Sequence, residues 1–311
     1  MTTFDPSIFH WEPGQGPHAA ALERMCAAFP RPREPMGEAW FMSEQRETYP
    51  ELLGDLAALT DTQIVPPLVE IATGASCFGP RDEWTDWYHY LLPRLLQRPP
   101  GPYSRSLAEL LITGFMAEHP DPVGRGPYPL FRVDALATLG RYVMSPHLWR
   151  NGTRFASESG GLSDCDCLLS ASLFFRLKYL DAGAVEPWLE SVFAIEDRYW
   201  MAQILFWLIG AHPILSGAIT QPAQFPEGWP FAVSWNWSHA LRGNYSGNFD
   251  PPVAESPFLL EENRQAALRT IARVDLAKFI EDVQTDPGLQ HLATEMDGAA
   301  ERFAELYASR A

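Results

Sequence analysis

The chain has little cysteine. Four occur in 311 residues, Cys26, Cys77, Cys165 and Cys167, which suggests no disulfide framework and fits a reducing compartment. The N-terminus lacks the basic and apolar regions of a secretory signal. It reads M-T-T-F-D-P-S-I-F-H-W, and its first basic residue is Arg24. A cytoplasmic location is therefore expected. Several catalytic signatures are also missing: G-x-x-x-x-G-K-[ST], G-x-G-x-x-G after a strand, H-E-x-x-H, C-x-x-C and G-x-S-x-G. Without a glycine loop to cradle phosphates, the common nucleotide-dependent enzymes are excluded, and no cofactor is expected. Paired Asp-rich helical motifs that would chelate magnesium are absent too.

Positive charge is scarce. Lys and Arg number 23 against 39 Asp and Glu, a formal net charge of -16. Binding to nucleic acid needs clustered cations on phosphates, so no nucleic-acid partner is expected. An anionic membrane surface is disfavoured for the same reason. If the chain has a macromolecular partner, a basic protein suits it best. The plainer consequence of the acidity is solubility.

Charge of either sign is absent from Tyr199 to Pro226. The run Tyr199–Ile219 is long enough to cross a bilayer. Gln203, His212, Pro213 and Ser216 interrupt it, and no Lys or Arg cluster flanks it. A central core helix is the better reading, with no membrane partner. Gly210 to Pro213 suggests a break into two shorter helices.

Period-two alternation is missing beyond a few residues, whereas helical periodicity recurs, so an all-α fold is expected. His18–Phe29 is a short helical run in a Pro-rich first forty residues. Glu44–Leu59 places Tyr49, Leu52, Leu53, Leu56 and Leu59 on one stripe, and Thr62–Thr73 supplies Ile64, Val65, Leu68 and Ile71. In Asp82–Gln97 the residues Trp84, Trp87, Tyr88, Leu91, Leu92, Leu95 and Leu96 recur at i, i+3, i+4, i+7, i+8, i+11 and i+12, one helix face. Asp82 is a plausible N-cap, and Pro93 predicts a bend. Further helices are expected over Ser104–His119, Tyr128–Met144, Asp164–Leu180, Glu186–Ile195 and Arg198–Ile219. Two long ones follow, Leu260–Gln284 and Pro287–Ser309.

These patterns predict about a dozen helices in antiparallel pairs, as a HEAT-like array or a helical bundle. The chain is read as one helical domain over 1–311. The polar, Gly-rich link near 151–161 is a candidate subdomain junction. From about Glu51 to Trp149, P-E-L-L-G-D-L-A-A-L, W-Y-H-Y-L-L-P-R-L-L and S-L-A-E-L-L-I-T-G-F carry a resemblance to bacterial HEAT-like α-helical repeat proteins of unknown function. It covers about a third of the chain. The resemblance implies stacked helix pairs of about 40–47 residues.

One irregular segment, 220–258, interrupts the helices. Its centre is P-E-G-W-P-F-A-V-S-W-N-W-S-H-A-L-R-G-N-Y-S-G-N-F-D-P-P. Long loops in compact domains are functional or disordered, and this one is too aromatic for disorder. Trp229, Trp235, Trp237, His239, Tyr245 and Phe249 are its candidate binding residues. One reading tucks the tryptophans into the core as an Ω-like plug. The other presents them as anchors for a partner or a planar ligand. Ser238, His239, Asp250 and Glu255 contain the residue types of a nucleophilic triad, but sequence neighbours seldom converge as one. A histidine hydrogen-bonded in a structured loop is the simpler account.

Asp164-Cys165-Asp166-Cys167 offers two thiolates but no nearby His to complete a zinc site. Two acids in the first turn of a helix explain it better, so no metal is expected. His89 on a helix face, His119 at a helix C-terminus and His212 beside Pro213 are read as structural.

The sequence thus points to a non-enzymatic cytoplasmic interaction module, for instance an immunity-type inhibitor of a basic toxin or enzyme. The alternative is a helical-toroid enzyme acting on a carbohydrate, with two carboxylates as acid and base.

Overall fold

The computed structural model describes residues 9–12, 14–39, 45–73, 81–99, 104–142, 167–225, 233, 257–275, 280–281, 284–285, 287 and 298–307. They pack as two compact units. One contains residues 14–142. The other contains 9–12 and the described residues from 167 to 307.

The 14–142 unit holds α1 (Ala19–Ala28), β1 (Met36–Ala39), β2 (Gln45–Thr48), α2 (Asp61–Thr73), α3 (Arg81–Leu95), α4 (Ser104–Glu118) and α5 (Phe131–Tyr142). His18 caps α1, its Nδ1 accepting from the Ala21 amide at 3.3 Å. Helix α1 packs against α5 and α3, and α2 against α4. The α3 stripe is as the periodicity predicts: Trp84, Trp87, Tyr88, Leu91, Leu92, Leu95 and Leu96 are all buried. His89 and Tyr90 are buried as well, so α3 is enclosed on more than one face. Its contact with α4 is close at Gly114. A Cβ there would lie 2.8 Å from the Tyr88 ring, and the Tyr88 hydroxyl donates to the Leu111 carbonyl at 2.6 Å.

The expected helix over Glu44–Leu59 is not formed. Strand β2 occupies its start and pairs antiparallel with β1, Met36 opposite Thr48 and Ala39 opposite Gln45. Tyr49 then turns left-handed at φ 52, and two 3-10 turns follow, Pro50–Leu53 and Leu56–Ala58. Pro50 opens the first turn. Asp55 caps the second through a 3.0 Å bond to the Ala57 amide. Both residues favour short turns over a long helix. Leu52 and Leu56 are nevertheless buried, because both turns direct them inward. Thus, among the described residues, a helical fold carries one short antiparallel strand pair that the periodicity does not announce.

The second unit holds α6 (Cys167–Tyr179), α7 (Ala182–Phe193), α8 (Arg198–Ser216), α9 (Glu261–Ile271) and α10 (Ala299–Tyr307). Helix α6 is its centre: every residue from Leu168 to Leu180 is buried. Helix α9 packs on α6, α7 and α8, and α10 packs on α8. Asp197 caps α8 by accepting from the Trp200 amide at 2.8 Å.

Helix α8 does not break at Gly210–Pro213. It runs through both to Ser216 and ends at Gly217, whose φ is 80. Pro213 removes one backbone donor near the end of the helix, but burial from Ala202 to Ala211 holds the rod together. Among the described residues no helix is long and apolar enough to cross a membrane. Helix α9 is shorter than the periodicity of Leu260–Gln284 implies. It closes at Ile271 with tight bonds from Arg273 to Thr270 and from Val274 to Ile271, both 3.1 Å. Within Pro287–Ser309, Gly298 turns left-handed at φ 75 and α10 begins just after it. Ten α-helices lie among the described residues.

Candidate functional site

The residues singled out for binding, Trp229, Trp235, Trp237, His239, Tyr245 and Phe249, lie outside the described residues, as do Ser238, Asp250, Glu255 and the run Asp164–Asp166. Cys167 opens α6. What is described is how the aromatic segment is fastened. Its two ends meet: the Phe258 amide donates to the Thr220 carbonyl at 2.8 Å. The Lys178 ammonium of α6 donates to the Phe258 carbonyl at 2.9 Å and sits 4.5 Å from that ring. Val233 is buried. Its carbonyl accepts from the Ser170 hydroxyl of α6, which in turn accepts from the Trp207 indole at 3.3 Å. The segment is therefore anchored at both ends and at Val233 on the buried helix α6.

Two histidines read separately as structural come together. His89 on α3 and His119 just past α4 face each other, Nε2 to Nε2 at 2.9 Å, with nearly parallel rings 5.1 Å apart. Phe29 stacks on His89 at 4.6 Å, Phe131 meets His119 edge-on at 4.7 Å, and Phe115 lies 5.0 Å from His119. Burial, and the neighbouring His119, push His89 down to about 3. Burial pushes His119 down to about 4. The helix C-terminus favours a cation at His119, worth a fraction of a kcal/mol at an exposed site, but desolvation in this aromatic box outweighs it. At neutral pH both imidazoles are uncharged, one donating to the other. They form a tie between α3 and α4.

Beside them is an ion pair whose carboxylate is buried and whose guanidinium is partly exposed. Asp134 of α5 is fully buried and takes two bonds from Arg24 of α1, at 2.5 and 3.1 Å, and one from the Tyr128 hydroxyl at 2.8 Å. Burial, then the bond to Asp134, raise the Tyr128 phenol; the bond to Asp134 also raises Arg24. No group of three or more metal-ligating side chains occurs among the described residues.

On the second unit a concavity of about 480 Å³ lies between α7 and α9. Gly183, Glu186, Pro187 and Glu190 line one side, Ala266 and Arg269 the other. Glu186 pairs with Arg273. None of its described lining residues is aromatic.

The use made of the basic side chains was not legible beforehand. Arg31 donates to the Leu53 and Gly54 carbonyls, and Arg94 to those of Tyr90 and Cys26. Arg98 donates to Leu56 and Leu59, Arg132 to Pro122 and Arg264 to Leu215. Arg176 and Lys178, both buried, donate to Phe9 and Phe258. These seven side chains brace the main chain; Arg176 and Lys178 are buried, Arg31 is exposed, and the other four are partly exposed. Acids such as Asp181, Glu190, Glu196, Asp197, Glu262 and Glu305 face solvent.

No protein-family model matches the chain, and neither a curated protein nor a solved structure does.

Proposed function

We propose that this is a non-enzymatic, cytoplasmic protein-interaction module that binds a basic protein, as an immunity-type inhibitor binds a basic toxin or enzyme. The observation that carries the reading is the division of charge. Seven basic side chains brace carbonyls within the fold, in a chain whose net charge is already -16. That surplus of acid gives the molecule a negative outward field. Such a field steers a cationic partner into contact and raises its on-rate, more than it raises affinity. Tight binding then needs apolar anchors, and Trp229, Trp235, Trp237, Tyr245 and Phe249, with His239, are the proposed anchors. The fastening of their segment at Thr220, Val233 and Phe258 supports this reading, since a tethered loop loses less entropy on binding than a free one.

The test is purification from the native host at low salt, followed by native mass spectrometry. A co-purifying basic protein, released as salt shortens the Debye length from about 10 Å at 0.1 M to about 3 Å at 1 M, is the expected result. A bare chain at every salt concentration, or a complex with an uncharged partner that ignores salt, overturns it.

A further inference from the structure

Helices α7 and α9 start side by side and run in the same sense. Asn263, in the first turn of α9, donates to the Leu177 and Leu180 carbonyls at the end of α6, at 2.7 and 2.8 Å. Further along, Glu186 of α7 pairs with Arg273 just past α9. Between these positions α9 contributes Ala266 and Arg269 to the concavity of about 480 Å³, a volume within the range of small-ligand sites. Both helices belong to the 167–307 unit.

The two walls carry opposite charges that do not meet. Glu190 lines the α7 side and Arg269 the α9 side, and both are exposed. Among the described residues neither makes an ion pair with the other or with a third side chain, whereas Glu186 is held by Arg273. The α7 wall also carries an acceptor without its helical donor. Pro187 has no N–H, so it gives nothing to the Gly183 carbonyl four residues before it. Small residues keep the space open: a Cβ added at Gly183 meets nothing within 4 Å.

We propose that this concavity binds a short zwitterionic peptide of the dipeptide class, its ammonium on Glu190 and its carboxylate on Arg269. Both ends then make charge-assisted hydrogen bonds, and a guanidinium can hold the carboxylate through two parallel N–H donors. The Gly183 carbonyl is a further acceptor for an N–H of the ligand. A free amino acid carries both charges on one carbon. A dipeptide sets them up to about 3.6 Å further apart, which suits two side chains beyond ion-pair reach of each other. Pro187 and Ala266 offer apolar surface to an aliphatic side chain. The site is independent of the basic-partner reading, because its two acids are matched by Arg269 and Arg273.

The test is equilibrium dialysis of the full chain against radiolabelled alanyl-leucine. Saturable binding in the submillimolar range is expected, with free leucine several-fold weaker. Glu190→Gln and Arg269→Gln are each expected to weaken binding about ten-fold or more, the worth of one charge-assisted bond. The N-acetylated peptide, which lacks the ammonium, is expected to be indifferent to Glu190→Gln. The peptide amide, which lacks the carboxylate, is expected to be indifferent to Arg269→Gln. Both residues are exposed, and unchanged melting temperatures confirm that the variants fold. Gly183→Leu, which puts a large side chain into the open space, is expected to abolish binding. No retention of alanyl-leucine at millimolar concentration overturns the proposal. So does binding that survives Glu190→Gln/Arg269→Gln, or free leucine bound as tightly as the dipeptide.

Discussion

His89 and His119 meet Nε2 to Nε2 at 2.9 Å inside a cage of phenylalanine rings. The folded values, about 3 and about 4, lie below the ordinary 6.5 of an unfolded histidine. Between those limits the unfolded chain binds protons that the folded chain refuses. Stability is therefore full above pH 6.5 and falls as pH drops toward 4. By pH 5 the loss is on the order of 2–4 kcal/mol for the pair. Carboxylates titrate mostly below that point, so pH 7 to 5 isolates the histidines. Urea midpoints at pH 7, 6 and 5 are expected to fall steadily, and to stay nearly level in a His89→Leu/His119→Leu chain. An equal pH slope in both chains contradicts this account.

Asp134 depends on Arg24 in a similar way. The carboxylate is fully buried, while the guanidinium side chain is 41% exposed. Removing Arg24 leaves a buried charge with the Tyr128 hydroxyl but without its cation. Breaking a fully buried pair from one side costs about 3–5 kcal/mol and an exposed pair is worth under about 1 kcal/mol; with the guanidinium screened by solvent, Arg24→Ala is expected to cost about 1–3 kcal/mol. Denaturant unfolding checks it, and a loss below about 0.5 kcal/mol, as for an exposed pair, is inconsistent with the pair having this role.

Two glycines give opposite predictions. At Gly114 a Cβ would come within 2.8 Å of the buried Tyr88 ring, which cannot move without disturbing its bond to Leu111. Gly114→Ala is expected to cost about 1–3 kcal/mol through overpacking. Gly183 lies within helix α7, exposed, with nothing within 4 Å of its added Cβ. There Gly183→Ala reduces the freedom of the unfolded chain and is expected to stabilise by about 0.4–1 kcal/mol. Melting temperatures of the two variants moving in the same direction would falsify this reading of the α3–α4 contact.

The pattern of what could be read beforehand follows from range. Helix α3 was legible because its stripe is local and its residues are buried wherever the helix packs. Strand β2 and the 3-10 turns of 45–58 were not, since Leu52 and Leu56 keep a helical spacing while Pro50 and Asp55 set the backbone. Ile271 ends a helix whose apolar periodicity continues past it. The His89–His119 tie joins positions 30 apart, Arg24–Asp134 positions 110 apart. No local pattern marks such pairs. Arg176 and Lys178 are similarly hidden: in F-F-R-L-K-Y-L they resemble a solvent face, yet both are buried against carbonyls. The candidate aromatic anchors were legible as a composition, and their segment's attachment points at Thr220 and Phe258 were not.

The partner reading separates two kinds of residue by the kinetics they control. An acid on the surface, such as exposed Glu190, contributes mostly to encounter, so Glu190→Lys is expected to slow association with the co-purified basic protein. Its equilibrium effect stays within a few-fold, because a rim charge is screened and worth less than about 1 kcal/mol. An aromatic anchor works through dissociation. Trp235→Ala/Trp237→Ala is expected to raise Kd by at least about 30-fold, corresponding to about 2 kcal/mol or more at a hot spot, with the on-rate little changed. Surface plasmon resonance at two salt concentrations measures both rates. Should the tryptophan chain bind with unchanged affinity while Glu190→Lys abolishes the complex, recognition is electrostatic alone and the aromatic segment has no part in it.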